Sequence, residues 1–167
     1  MRTLCTLLIL LCLSACNQGS DFASTLPDDL PALVDAPAFT AQEFTLELIQ
    51  LINDHRADLG LRPLILSDEV SLLGKTHSDR MASGVVGLGH EDFSDRCAEA
   101  SDFLGGGSTC AENVAMGQSS ADEAFASWMR SPSHRQNIER ADLTHTGIGY
   151  AESASGTLFW TQIFIGI

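Results

Sequence analysis

Few side chains in this chain are placed to do chemistry, and most of those have an ordinary alternative. There are five histidines. His77 shares a helical face with Leu73 and Met81 and reads as a hydrogen-bonded core histidine, while His55 and His145 read as surface or packing residues. His90 follows Gly89 in a loop and is either a site residue or a solvated one. His134 follows Pro132 at a helix end, where it either serves a site or caps carbonyls. Glu112 is harder to dismiss, because it sits in an apolar stretch and a buried carboxylate without a partner is costly. Asn113 and Gln162 either present amides to a cleft or satisfy backbone groups nearby. Ser108, Ser131 and Ser133 carry hydroxyls, but none stands in a Gly-x-Ser-x-Gly elbow, and the chain has neither a Walker loop nor a GxGxxG after a strand. No activated nucleophile is evident, and nucleotide binding has no support.

The elements that must position these residues belong to a globular chain of 167 residues, 44% hydrophobic and 19% charged. Acids outnumber Lys and Arg 22 to 9, a net charge of −13 that argues against nucleic acid and against a polybasic membrane patch. Arg2 and the apolar run Leu4 to Leu13 read as a signal peptide over residues 1–15, since a bilayer span needs roughly 20 apolar residues. Leu13-Ser14-Ala15-Cys16 resembles the bacterial lipobox, which predicts acylation at Cys16; the alternative is ordinary cleavage near Ala15. A lipid anchor of more than one chain would then hold the protein on a membrane, facing an extracytoplasmic space. Pro27, Pro31 and Pro37, with Asp21, Asp28, Asp29 and Asp35, mark residues 16–39 as the lipidated cysteine and a flexible linker, leaving a folded domain over 40–167.

Cys5 and Cys12 leave with the signal peptide and Cys16 takes the lipid, so Cys97 and Cys110 remain as an even pair in an exported chain. That favours a disulfide over two free buried thiols, with a chain-entropy gain of about 3 kcal/mol. Without histidines at finger spacing the pair does not suggest a structural zinc.

Helix starts are readable. Thr40-Ala-Gln-Glu43 is a capping box opening a helix that ends at Gly60, and Ser67 caps a second that ends at Gly84. A third is expected from Asp92 to about Ala100. A fourth runs from the box Ser120-Ala-Asp-Glu123 to Ser131-Pro132, with one further turn over Arg135 to Ile138. Strands are expected over Glu112 to Gly117, Thr146 to Ala151 and Leu158 to Ile165, the last two forming a hairpin. Helices around few strands, without a βαβ rhythm, indicate α+β with an antiparallel sheet.

Asn53-Asp-His-Arg56, Leu61-Arg-Pro-Leu64, Thr76-His-Ser-Asp-Arg-Met81, Gly89-His90 and Cys110-Ala-Glu-Asn-Val-Ala-Met-Gly117 form an ordered set. It continues with Trp128-Met-Arg-Ser-Pro-Ser-His-Arg-Gln-Asn-Ile138, Thr146-Gly-Ile-Gly-Tyr-Ala151 and Phe159-Trp-Thr-Gln162. The set resembles bacterial members of the CAP superfamily of cysteine-rich secretory proteins, antigen 5 and pathogenesis-related 1 proteins. The resemblance implies an α-β-α sandwich with a small central antiparallel sheet flanked by helices. It also implies a cleft to which His90, Glu112 and His134 carry over. Animal and plant members use two histidines and two glutamates; here Ser131 and Phe159 stand at the second glutamate and second histidine, so that set is incomplete.

Two neutral imidazoles and a carboxylate form a fitting shell for Zn²⁺ or another divalent metal with an open fourth position. The same trio is a candidate catalytic group for acid–base work, with Glu112 setting an imidazole tautomer. Two functions therefore stand open. One is a cell-envelope binding module holding a metal, a small lipid-like molecule or a peptide. The other is an envelope hydrolase of peptidase type using the same cluster.

Overall fold

The computed structural model describes residues 41–167. The expected signal peptide, Cys16, the linker and the Thr40 cap lie outside the described residues. The elements are α1 (Ala41–Asp58), β1 (Ile65–Leu66), α2 (Asp68–Ala82), α3 (Phe93–Phe103), β2 (Thr109–Met116), α4 (Ala121–Arg130), α5 (Pro132–Ile138), β3 (His145–Glu152) and β4 (Leu158–Gly166). Among the described residues no helix is long and apolar enough to cross a membrane.

Local chemistry sets most of these boundaries. The Ser67 and Ser120 hydroxyls accept the amides of Val70 and Glu123, both at 3.2 Å, as helix caps should. Glu123 reaches back to the amide of Ser119, one residue earlier than a standard capping box would place it. Pro132 ends α4 and begins α5, because a proline at the first helical position loses no bond the helix needs. That makes α5 three residues longer at its start than the sequence suggests. Asp92 precedes α3 in a left-handed conformation, and its carboxylate binds Arg80 at 2.7 Å instead of capping the helix.

The sheet order is β1-β3-β4-β2. β2 and β3 both run antiparallel to β4, with Glu112 opposite Ile163 and Asn113 opposite Gln162. β1 corrects the expectation of a wholly antiparallel sheet: Ile65 and Leu66 pair in parallel with His145 and Thr146, so the sheet is mixed. Two residues after Pro63 are too short to show a period, and only β3 gives them a partner.

Alternating side chains divide the core into two layers. On one face Ile148, Trp160 and Phe164 pack with Leu48 and Ile52 of α1 and Trp128 of α4. On the other, Ile163 and Ile165 pack with Val70 of α2 and Ala100 of α3. The sandwich is the α+β architecture expected.

Backbone meets backbone where α2 lies on β3. A Cβ added at Gly149 would overlap the Lys75 nitrogen, and one at Gly147 would overlap the Val70 carbonyl carbon. The approach lets Ser78 donate to the Gly149 carbonyl at 3.2 Å while it shares a 2.8 Å bond with the Thr161 hydroxyl. The Ser71 hydroxyl likewise accepts the Ile148 amide at 3.1 Å. Glycine weakens a strand in isolation, so here the close contact has to offset that cost.

Cys97 of α3 is joined to Cys110 of β2, with 6.1 Å between their Cα atoms, as the cysteine count suggests. Two stability outcomes follow from this architecture. Gly149→Ala should destabilise by about 3 kcal/mol or more through overpacking, whereas Gly87→Ala, with nothing within 4 Å of the added carbon, should leave the melting temperature unchanged. Thermal unfolding of both variants checks this. Replacing Cys97 and Cys110 together by serine should cost about 3 kcal/mol, read from urea unfolding under non-reducing conditions.

Candidate functional site

Glu112 projects from β2 towards α3, with its side chain only 1% exposed. Arg96, one residue before the disulfide on α3, meets it with a two-pronged contact. Nε donates to Oε2 at 2.8 Å and Nη2 donates to Oε1 at 2.9 Å. The third arm of the guanidinium, Nη1, donates to the Glu91 carbonyl. Arginine keeps its charge at any ordinary pH, and its planar fork matches a carboxylate, so the buried negative charge is neutralised in place.

His90 is presented by the loop between α2 and α3. His77, buried beneath that loop, donates from Nε2 to the Gly89 carbonyl at 2.8 Å. Burial holds the His77 pKa below the ordinary histidine value against the opposing pull of that bond, which favours the neutral ring, and Nδ1 is unpartnered. His77 is thus the core histidine the sequence suggests, and its bond holds the backbone one residue before His90. The His90 ring then donates from Nδ1 to Glu112 Oε1 at 2.9 Å, with its side chain 49% exposed. In a neutral ring this tautomer leaves Nε2 as an acceptor.

His134 comes from α5, which lies along β2, a strand at one end of the sheet. Asn137 Nδ2 donates to the Glu112 carbonyl at 3.3 Å and to Asn113 Oδ1 at 2.9 Å. Asn113 Nδ2 donates to the His134 carbonyl at 3.2 Å. These bonds tie α5 to the strand and satisfy polar groups of an edge that would otherwise be open to pairing. The His134 pKa is lowered, first by burial and then by the charge of nearby His90. The fold therefore brings the two histidine segments together around β2, but only His90 hydrogen-bonds the Glu112 carboxylate.

Asn113 and Gln162 are fully buried. Gln162 Nε2 donates to the Thr146 hydroxyl at 3.2 Å, while its Oε1 has no partner. Both amides lie within the protein and present nothing to solvent. His90, Phe93, Glu112, Asn137 and Arg140 line an open cleft of about 390 Å³. A comparable groove of about 370 Å³ between α1, α2 and β3, lined by Leu46, Leu66, Leu72 and Tyr150, lies away from these groups.

The segment Asn53-Asp-His-Arg56 is structural. Arg56 is fully buried and donates to the carbonyls of Arg62, Ile138, Arg140 and Leu143 at 2.6–3.2 Å. Asn53 exchanges bonds with the Leu64 backbone at 2.8 and 3.0 Å. His55 pairs with Glu139 at 3.0 Å and His145 with Thr144 at 2.9 Å.

Arg96 is the site residue that sequence reasoning misses. The available signal was indirect: a buried carboxylate demands a cation, and Arg96 is the one base in an α3 that also carries Asp95, Glu99 and Asp102. The same residue bears on metal binding. Both Glu112 oxygens are engaged by the guanidinium, and one also by His90. Among the described residues no three His, Cys, Asp or Glu side chains are grouped to hold a metal. As arranged, the donor set does not fit a divalent cation.

Comparison with known proteins agrees with this architecture. Residues 49–164 match the model of the cysteine-rich secretory protein family, CAP. The Bacillus subtilis protein YkwD, itself uncharacterized, is 33% identical over 122 residues, which is 72% of this chain and 46% of YkwD. The chain thus spans less than half the length of that relative. The fold is similar to an outer surface protein of Borrelia burgdorferi, with a TM-score of 0.67 and 17% identity over 77% of this chain and 96% of that one. It is also similar to an extracellular SCP-domain protein of Bacillus anthracis, with a TM-score of 0.64 and 22% identity over 79% and 45%. With the sandwich, the disulfide and the His90–Glu112 cleft in place, the chain belongs to the cysteine-rich secretory protein (CAP) family.

Proposed function

We infer that this protein is a cell-envelope binding module, held outside the cytoplasm by acylated Cys16, whose His90 cleft takes a small peptide-like ligand. The observation that carries the reading is the exposed His90 ring, held by a carboxylate whose own charge is already neutralised. Around it stand the Phe93 ring, the Asn137 amide that is bonded to β2, and the Arg140 guanidinium that is paired with Asp142. Such a lining offers an acceptor at His90 Nε2 for a peptide N–H, the outer arm of Arg140 for a carbonyl and one aromatic contact, which suits a peptide better than a lipid chain. The resemblance of Leu13-Ser14-Ala15-Cys16 to a lipobox, the apolar run before it and similarity to proteins described as outer-surface and extracellular support the location.

A second reading, an envelope hydrolase, has one observation in its favour. A carboxylate bonded to Nδ1 of a histidine with a free Nε2 is the orienting half of a general-base arrangement. It lacks the other half, because the cleft's sulfur, Cys110, is in the disulfide and no hydroxyl is bonded to His90 among the described residues.

Titrating the protein with a mixed library of short peptides, followed by amide NMR, separates these readings. Binding should shift resonances of His90, Phe93 and Asn137 and leave the peptides intact by mass spectrometry. His90→Ala should weaken binding at least about tenfold, or 1.4 kcal/mol. Cleavage products that disappear in His90→Ala would favour the hydrolase. Cys16→Ser should move the protein from the membrane to the soluble fraction; membrane retention unchanged in that variant would sink the anchor.

A further inference from the structure

The cleft's electrostatics carry a conclusion that does not depend on which ligand it holds. We propose that Arg96 is a resident cation at Glu112, occupying the place a divalent metal would take, so that this site works without metal and Arg96 positions His90 through the carboxylate.

Four observations converge on this. The Glu112 side chain is 1% exposed, and an ionised carboxylate at that depth requires a counter-charge. Arg96 supplies it with both Nε and Nη2 while Nη1 is bound to the Glu91 carbonyl, so the guanidinium is held on three sides, with its side chain 9% exposed. The remaining bond to Oε1 comes from His90 Nδ1, which leaves the carboxylate with three donors. Finally, the Cys97–Cys110 bond ties the residue after Arg96 to the strand of Glu112, which keeps the two charges in register.

A divalent ion bound to Glu112 would have to displace one prong of the fork or sit beside a fixed positive charge in a poorly solvated setting. Either is unfavourable. The other ligands a metal would need are also lacking. With Nδ1 on the carboxylate, His90 keeps Nε2 as its one open donor atom, and among the described residues no three His, Cys, Asp or Glu side chains are grouped to complete a site around it. Instead the chain Arg96–Glu112–His90 fixes the imidazole's tautomer and direction with no exchangeable component. Arg96 is on this account a positioning residue, acting on the ligand through Glu112 and His90. Its replacement by glutamine keeps hydrogen-bonding capacity but removes the charge; its replacement by lysine keeps the charge and loses the fork.

The test is zinc binding to the full chain with its disulfide intact, resolved at His90 by long-range proton–nitrogen NMR of the imidazoles. In the wild type, one equivalent of zinc chloride should leave both His90 ring nitrogens unshifted. Arg96→Gln should acquire zinc binding at His90 at least tenfold tighter than wild type, and the gain should vanish in Arg96→Gln combined with His90→Ala. Arg96→Lys should remain as insensitive to zinc as wild type, while its His90 ring loses the fixed tautomer. Stoichiometric zinc-dependent shifts of His90 in the wild type would overturn the proposal. So would a folded Arg96→Gln that gains no zinc affinity. If Arg96→Gln fails to fold, the wild-type spectrum alone decides. None of these outcomes depends on peptide binding, so failure here is distinct from failure of the binding-module reading.

Discussion

A carboxylate buried against the face of a sheet constrains everything around it. Glu112 must meet a positive charge, and that charge must come from an element packed on the same face as its side chain. α3 supplies it, and the disulfide one residue beyond Arg96 ties that helix to β2. The Glu91 carbonyl takes the guanidinium's third arm, which draws the end of the preceding loop inward and leaves His90 within reach of the same carboxylate. Breaking such a pair from one side typically costs about 3–5 kcal/mol, because the remaining charge is left uncompensated. The cleft and the stability of this corner therefore rest on the same three side chains.

The same stretch of loop depends on a second constraint, two residues before Glu91. α2 can approach β3 closely only because Gly147 and Gly149 carry no Cβ. That approach sets the height of His77, whose Nε2 holds Gly89 and hence the entry to His90. On the far side of β2, Arg56 collects carbonyls from both sides of the α5 C-terminus, and Asn137 binds the strand's own carbonyl. The half-exposed imidazole is thus carried by a rigid frame.

Much of this was legible in order. The capping serines of α2 and α4, the proline between α4 and α5, and the hairpin of β3 and β4 all follow from local rules, and the structure keeps them within a few residues. The cysteine pair followed from counting. β1 did not, since two residues have no period to read. The start of α5 is hidden because Ser131-Pro132 reads as a stop, although a proline also serves as a first helical residue. The glycines of β3 were visible as an alternation, but nothing local said that a helix backbone would occupy their empty side.

The sequence by itself determined the elements other than β1 and the start of α5, favoured the pairing of two cysteines and carried the family's motifs, because these depend on neighbours in the chain or on ordered motifs. It also pointed to Glu112, since an acid in an apolar strand needs an explanation whatever the fold. What it could not determine was the partner. Whether His90, His134, a metal or Arg96 answers that charge depends on which helix crosses which strand, and at what rotation. A base among acids on a short helix looks like a solvated residue until the helix is packed against the strand. Tertiary structure made that choice, placing Arg96 and His90 on the carboxylate and Asn113 on the other face towards α5. The physical reason is that successive strand residues point to opposite sides, so a shift of one position in sequence separates a site residue from a structural one.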